Sequence, residues 1–193
     1  PAAALAYFGA AWAGAVLAPL HLRLTDADLR RVLGHAGAKV VLVEAAHRDR
    51  AVAWGLPLVG LEALAADGGA DGDPSGHARP ARPPAPRAAG DAAHLYYTSG
   101  STGKPKGVVL THGNVVTHAR LAAAALDLTA RDVWLHAAPM FHLADAWATF
   151  AITLVRGEHR FVPHFRETDV LDAFASGVTV TNLVPTMWHA LVR

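Results

Sequence analysis

Ten consecutive residues near the middle of the chain carry the side chains needed to hold a polyphosphate. In Thr98-Ser99-Gly100-Ser101-Thr102-Gly103-Lys104-Pro105-Lys106-Gly107, four hydroxyls can donate hydrogen bonds, Gly100 and Gly103 let backbone amides approach a ligand closely, and Lys104 and Lys106 add positive charge. Hydrogen bonds to charged oxygens contribute roughly 1.5 to 3 kcal/mol each, so a few of them can hold an ATP tail against its hydration. A Walker A loop needs a GxxxxGK string followed by Ser or Thr. Here Gly103-Lys104 is followed by Pro105, and Thr98 stands where the first glycine belongs, so an ordinary P-loop is a poor fit. Lys106, at the Pro-Lys-Gly end, is placed to bring a point charge to a phosphate.

Other chemistries find little support. There is no cysteine, which removes thiolate metal sites, a cysteine nucleophile and a disulfide framework. The twelve histidines include no HExxH pair, and His112 with His118 or His159 with His164 lack the spacing that puts two ligands on one helix face. Ser99 and Ser101 sit in the phosphate loop, and no GxSxG elbow occurs. No metal ligand can be named. His142, between Phe141 and Leu143, is by itself an ordinary core or loop residue.

Taken whole, YTSGSTGKPKGVVLTHGN closely resembles the phosphate-binding signature of the adenylate-forming (AMP-binding) superfamily, most like its acyl-CoA synthetases and fatty-acid CoA ligases. GAAWAGAVLAPLHLRLTDADLRRVLGHAGAKVVLV, APMFHLAD, HRFVPHF and VTVTNLVPTM resemble other segments of the same enzymes. The resemblance implies that Thr98, Ser99, Gly100, Ser101, Thr102, Gly103, Lys104 and Lys106 wrap the β- and γ-phosphates of ATP. It also implies that His142 lies beside the adenylate and the carboxylate entrance. Lys106 and His142 are the residues assigned to catalysis. The implied reaction joins a carboxylic acid, a fatty acid by this resemblance, to ATP as an acyl-adenylate and then to CoA, with Mg²⁺ as cofactor.

An adenylation domain that loads a carrier-protein thiol is the alternative acceptor, and a non-catalytic binding piece of the same fold is the alternative class. Where the family often has a glycine shortly after the histidine, this chain has Ala144 and Asp145. No YGxTE-like or TGD-like string and no lid lysine is found, so the chain is expected to be the N-terminal part of such an enzyme, which needs the remaining C-terminal part to work.

Strands and helices must position these residues. Aromatic His94-Leu95-Tyr96-Tyr97 and apolar Val108-Val109-Leu110 predict strands on either side of the loop. Before them, the pattern predicts a helix over 2–13, a short buried strand over 15–18, a helix over 26–33 opened by Thr25 and Asp28, a strand over 39–43, a helix near 46–54 and a strand at 58–59. After the loop come a helix from Thr111 and Asn114 to about 126, a strand over 133–137, a helix over 144–155 ended by Gly157, a strand over 159–162, a helix over 168–174, a strand over 178–183 and a helix opened by Pro185. Such alternation implies an α/β fold, with layers of parallel sheet flanked by helices. Two subdomains are expected: 1–127, including a Pro/Gly-rich connection at 66–91 and the phosphate loop at 98–107, and a partial one at 128–193.

With 52% hydrophobic residues among 193, there is ample material for a core. A net charge of +1 with 17% charged residues and no basic blocks excludes a nucleic-acid stripe. Residues 1–20 are uncharged, but Gly9, Gly14 and Pro19 interrupt them and no Lys or Arg precedes them. They predict a buried helix and strand, not a transmembrane segment or a signal peptide. The expected compartment is the cytoplasm.

Overall fold

Alanine, the strongest helix former, dominates the first element, α1 (Ala2–Ala13), in the computed structural model, which describes residues 2–66, 85–98 and 105–193. The apolar run after α1 does not make the predicted buried strand. Only Leu17 pairs, in a parallel bridge to His94, and Val16 is exposed. Two hydrogen bonds, Leu17 N–H to the Ala93 carbonyl at 3.0 Å and Leu95 N–H to the Leu17 carbonyl at 2.9 Å, are the pairing found among the described residues before Pro19, whose missing N–H bars a longer ladder.

Helix α2 (Asp26–Ala36) starts where expected, because the Thr25 hydroxyl accepts the Asp28 N–H at 3.2 Å. It buries Leu29, Val32 and Leu33, one stripe at helical spacing. Strand β1 (Val41–Val43) follows, then a 3-10 turn (Ala45–His47), α3 (Arg48–Val52), β2 (Leu58–Gly60) and α4 (Leu61–Ala66). The two strands pair in parallel, Val41 against Leu58 and Val43 against Gly60. Leu29, Leu33, Val41, Val43, Ala51 and Trp54 form the core beside them. Of the expected 66–91 connection, residues 67–84 lie outside the described residues.

Strands β3 (Ala92–Thr98) and β4 (Lys106–Thr111) are hydrogen-bonded neighbours. Helix α5 (His112–Ala125) opens on a full capping box. The Thr111 hydroxyl accepts the Asn114 N–H at 3.1 Å, and the Asn114 side chain accepts the Thr111 N–H at 3.0 Å.

The last third alternates as predicted: β5 (Val133–His136), α6 (Leu143–Val155), β6 (Glu158–Phe161), α7 (Glu167–Ala175), β7 (Val180–Thr181) and α8 (Pro185–Leu191). Its sheet has the order β6-β5-β7, all parallel, with Trp134 opposite both His159 and Val180. Successive residues of a strand face opposite sides, so the central strand feeds two cores. Trp134 packs with Ala119, Ala123, Ala148, Ala151 and Ile152 of α5 and α6, and Leu135 packs with Val170 of α7. Strand β7 is shorter than the predicted 178–183.

One expected stop works differently. The left-handed residue that ends α6 is Arg156, at φ 64°, and not Gly157. Gly157 is needed for closeness: a Cβ there would lie 2.8 Å from the Asp132 carbonyl oxygen.

Two compact units result, one of residues 1–88 with 92–110 and one of 89–91 with 111–193. Helix α5 therefore belongs to the second unit, although the sequence boundary at 127 placed it with the first. Its Ala119 and Ala123 pack against α6, and that apolar contact decides its allegiance.

Candidate functional site

In the first unit, β3 is held from two sides. The Tyr96 hydroxyl, buried and raised in pKa by that burial, donates to the Tyr7 hydroxyl of α1 at 3.1 Å. Tyr97 donates to the Val32 carbonyl of α2 at 3.3 Å and meets His35 Nδ1 at 2.7 Å, and burial raises its pKa as well. His94 sits edge-on between Tyr7 and Tyr96, with ring centroids 5.2 and 6.0 Å away. These contacts carry β3 to Thr98, its last residue, which is exposed.

Ser99, Gly100, Ser101, Thr102, Gly103 and Lys104 lie outside the described residues. Lys106, also exposed, opens β4. Gly107 next to it has a packing reason: a Cβ there would meet Leu95 Cδ1 at 3.0 Å and His35 and Tyr97 at 3.5 Å. An exposed hydroxyl and an exposed ammonium thus stand at the ends of paired strands, which fits anionic oxygens.

In the second unit, His142 is the N-cap of α6, exposed, with its ring 4.4 Å from that of Phe141. Its N–H bonds the Pro139 carbonyl at 3.1 Å, and its own carbonyl accepts from Asp145 and Ala146 N–H at 3.3 and 3.2 Å. Just beyond it, the Ala144 carbonyl accepts both Trp147 Nε1 at 2.9 Å and Asn182 Nδ2 at 2.6 Å. The βα junction is where parallel sheets commonly build ligand sites. Thr98 and Lys106 thus share one unit, and His142 belongs to the other.

Sequence reasoning missed the polar chain beneath His142. Asp145, 0% exposed, accepts Trp134 Nε1 on Oδ1 at 3.2 Å and meets His136 Nδ1 with Oδ2 at 2.7 Å. His136 Nε2 meets His159 Nδ1 at 3.0 Å, and His159 Nε2 meets the Thr153 hydroxyl at 2.9 Å. Burial first, and the neighbouring His136 second, lower the His159 pKa to about 4, against an opposing pull from Asp145. One signal was available: Asp145 is the single charged residue in a mostly apolar helix sequence, and a buried charge needs partners.

Among the described residues, no group of three His, Cys, Asp or Glu is placed to hold a metal ion. No described helix is long and apolar enough to cross a membrane.

The likeness to known proteins extends over the chain. Feruloyl-CoA synthase of Amycolatopsis sp is 34% identical over 187 residues, covering 95% of this chain and 36% of that protein. Long-chain-fatty-acid–CoA ligase of Thermus thermophilus is 35% identical over 200 residues, covering 96% and 36%. The structure of O-succinylbenzoate coenzyme A synthetase from Bacillus subtilis in complex with ATP and magnesium ion superposes with a TM-score of 0.84 at 26% identity, over 99% of this chain and 38% of that one. The chain therefore spans little more than a third of the length of these relatives. The model of the AMP-binding enzyme family matches residues 1–193 from end to end, and the chain belongs to that family.

Proposed function

We propose that the full-length enzyme activates a carboxylic acid, a fatty acid in the first instance, by joining it to ATP and then to CoA. A carboxylate oxygen attacks the α-phosphorus, the bond to the bridging oxygen breaks and pyrophosphate leaves. The CoA thiol then attacks the acyl carbonyl, loses its proton and expels AMP. The observation that carries this reading is the Thr98–Lys106 string, which in sequence links the paired strands β3 and β4, in a chain of the AMP-binding enzyme family.

Thr98, Ser99, Gly100, Ser101, Thr102, Gly103, Lys104 and Lys106 are proposed to hold the ATP phosphates. Negative charge grows on the departing pyrophosphate, so these donors lower the barrier by binding the transition state more tightly than the ground state. His142 is proposed to orient the carboxylate. ATP and Mg²⁺ are supported by the B. subtilis structure that contains both. Magnesium would help neutralise phosphate charge, and its ligands are sought outside the described residues. The reading includes a cytoplasmic location, supported by the demand for ATP and CoA.

Pyrophosphate exchange in the full-length enzyme, run with fatty and aromatic acids, tests the proposal. Lys106→Ala should slow exchange by about tenfold or more, the scale of one lost charge-assisted contact. Unchanged exchange at low and saturating ATP would remove Lys106 from the site. Wild-type exchange with aromatic acids alone would replace the fatty-acid assignment.

A further inference from the structure

Asp145 and its partners close the base of the segment that carries His142. His136 is the last residue of β5, Asp145 lies in the first turn of α6, and the carboxylate bridges the two, so that the connection 137–142 and the first two residues of α6 run between the tied positions. His142, as N-cap, makes no side-chain capping bond to the helix it opens. The first turn of α6 is instead tied down from its inner face, through Trp134 and His136 of the strand.

The protons can be ordered along this chain in one direction. The Thr153 hydroxyl donates to His159 Nε2, His159 Nδ1–H donates to His136 Nε2, and His136 Nδ1–H donates to Asp145 Oδ2. Every ring nitrogen of the two histidines then has a partner in one consistent order. Stacking of His136 on Phe161, with centroids 4.6 Å apart at 10°, fixes the plane of the ring that faces the carboxylate.

We propose that Asp145 is a positioning residue: its clamp to His136 and Trp134 fixes the first turn of α6 and so holds Phe141 and His142 in place for the carboxylate. The argument is geometric. The Asp145 N–H is itself bonded to the His142 carbonyl, so the residue that the strand grips is also one that grips His142. The kinetic consequence rests on the adenylation proposed above, whereas the structural one does not.

Asparagine at 145 keeps one carbonyl oxygen for Trp134 Nε1 but puts an amide N–H where a carboxylate oxygen met His136 Nδ1, so Asp145→Asn holds that ring only in its other tautomer and by a weaker, neutral bond. In the full-length protein, amide hydrogen exchange in the peptide covering 138–147 should rise by about tenfold, while α5 and β6 stay within about twofold of wild type. The rate of acyl-adenylate formation should fall by about tenfold with KM for ATP unchanged, and in a His142→Ala background the same substitution should cost less than about twofold.

Unchanged exchange at 138–147, a uniform rise through α5 and the β6-β5-β7 sheet, or additive costs in the double variant would each overturn the clamp. Should Asp145→Asn fail to fold, Trp134→Phe, which removes the donor on Oδ1 together with part of a ring packed in the core, is scored by the excess of the rise at 138–147 over that in α5. A wild-type protein that forms no adenylate would defeat the proposed function and leave the exchange result to decide the clamp.

Discussion

Thr149 lies one turn beyond Asp145 on α6, 1% exposed, and its hydroxyl has no hydrogen-bond partner among the described residues. A buried hydroxyl without a partner carries its desolvation cost and returns nothing, so Thr149→Val should raise the unfolding free energy by about 1 kcal/mol in urea titrations. His142 is the opposite case, an exposed N-cap. His142→Ala should change stability by less than about 0.5 kcal/mol while adenylation falls by about tenfold or more. A variant that lost several times that stability and kept its rate would make His142 a packing residue. Asp145 shows why such residues escape a reading by spacing: its partners are nine and eleven positions away on a strand, and no periodicity connects them.

At the scale of elements, caps and breakers did what residue chemistry requires. Thr25 and Thr111 both accept the N–H three residues on, and Pro185 opens α8. Replacing Thr111 by Ala removes one half of the α5 capping box, and it should cost about 1 kcal/mol, measured as a shift in the denaturation midpoint at constant slope. Helix α5 packs on α6 in the sheet's own core, so that loss should appear in the second unit's unfolding. The strand predicted at 15–18 failed because an apolar run does not say whether a partner is available along its length. Leu17 alone found one, in His94.

For the whole molecule, acid sensitivity has a definite sign. An unfolded histidine titrates near 6.5, and His159 is held at about 4 in the fold by burial and by His136. Between those values the unfolded chain binds more protons, so the contribution of His159 is complete above pH 6.5 and is lost as the pH falls toward 4. Thermal melts across that window should show the midpoint falling with acidification, and His159→Gln should flatten that fall. Residues 1–193 by themselves, which span 36% of the two enzymes compared by sequence, are expected to form no thioester from a carboxylate, ATP and CoA. Thioester release by the purified chain would contradict this.

The sequence alone determined most of the helix and strand order, the caps at Thr25, Thr111 and Pro185 and the Thr98–Lys106 string, but not α4 or the failure of the strand at 15–18, because periodicity, propensity and hydroxyl chemistry act over a few residues. It also carried the family resemblance, in the string YTSGSTGKPKGVVLTHGN, and the family model matches the whole chain. Only the tertiary structure decided that α5 sides with α6, that Arg156 and not Gly157 turns left-handed, and that Asp145 is clamped to β5. Each depends on which surfaces meet across the fold. The energy that settles them is buried area, a carbonyl's close approach or a carboxylate removed from water, and none of these is a property of neighbouring residues in the chain.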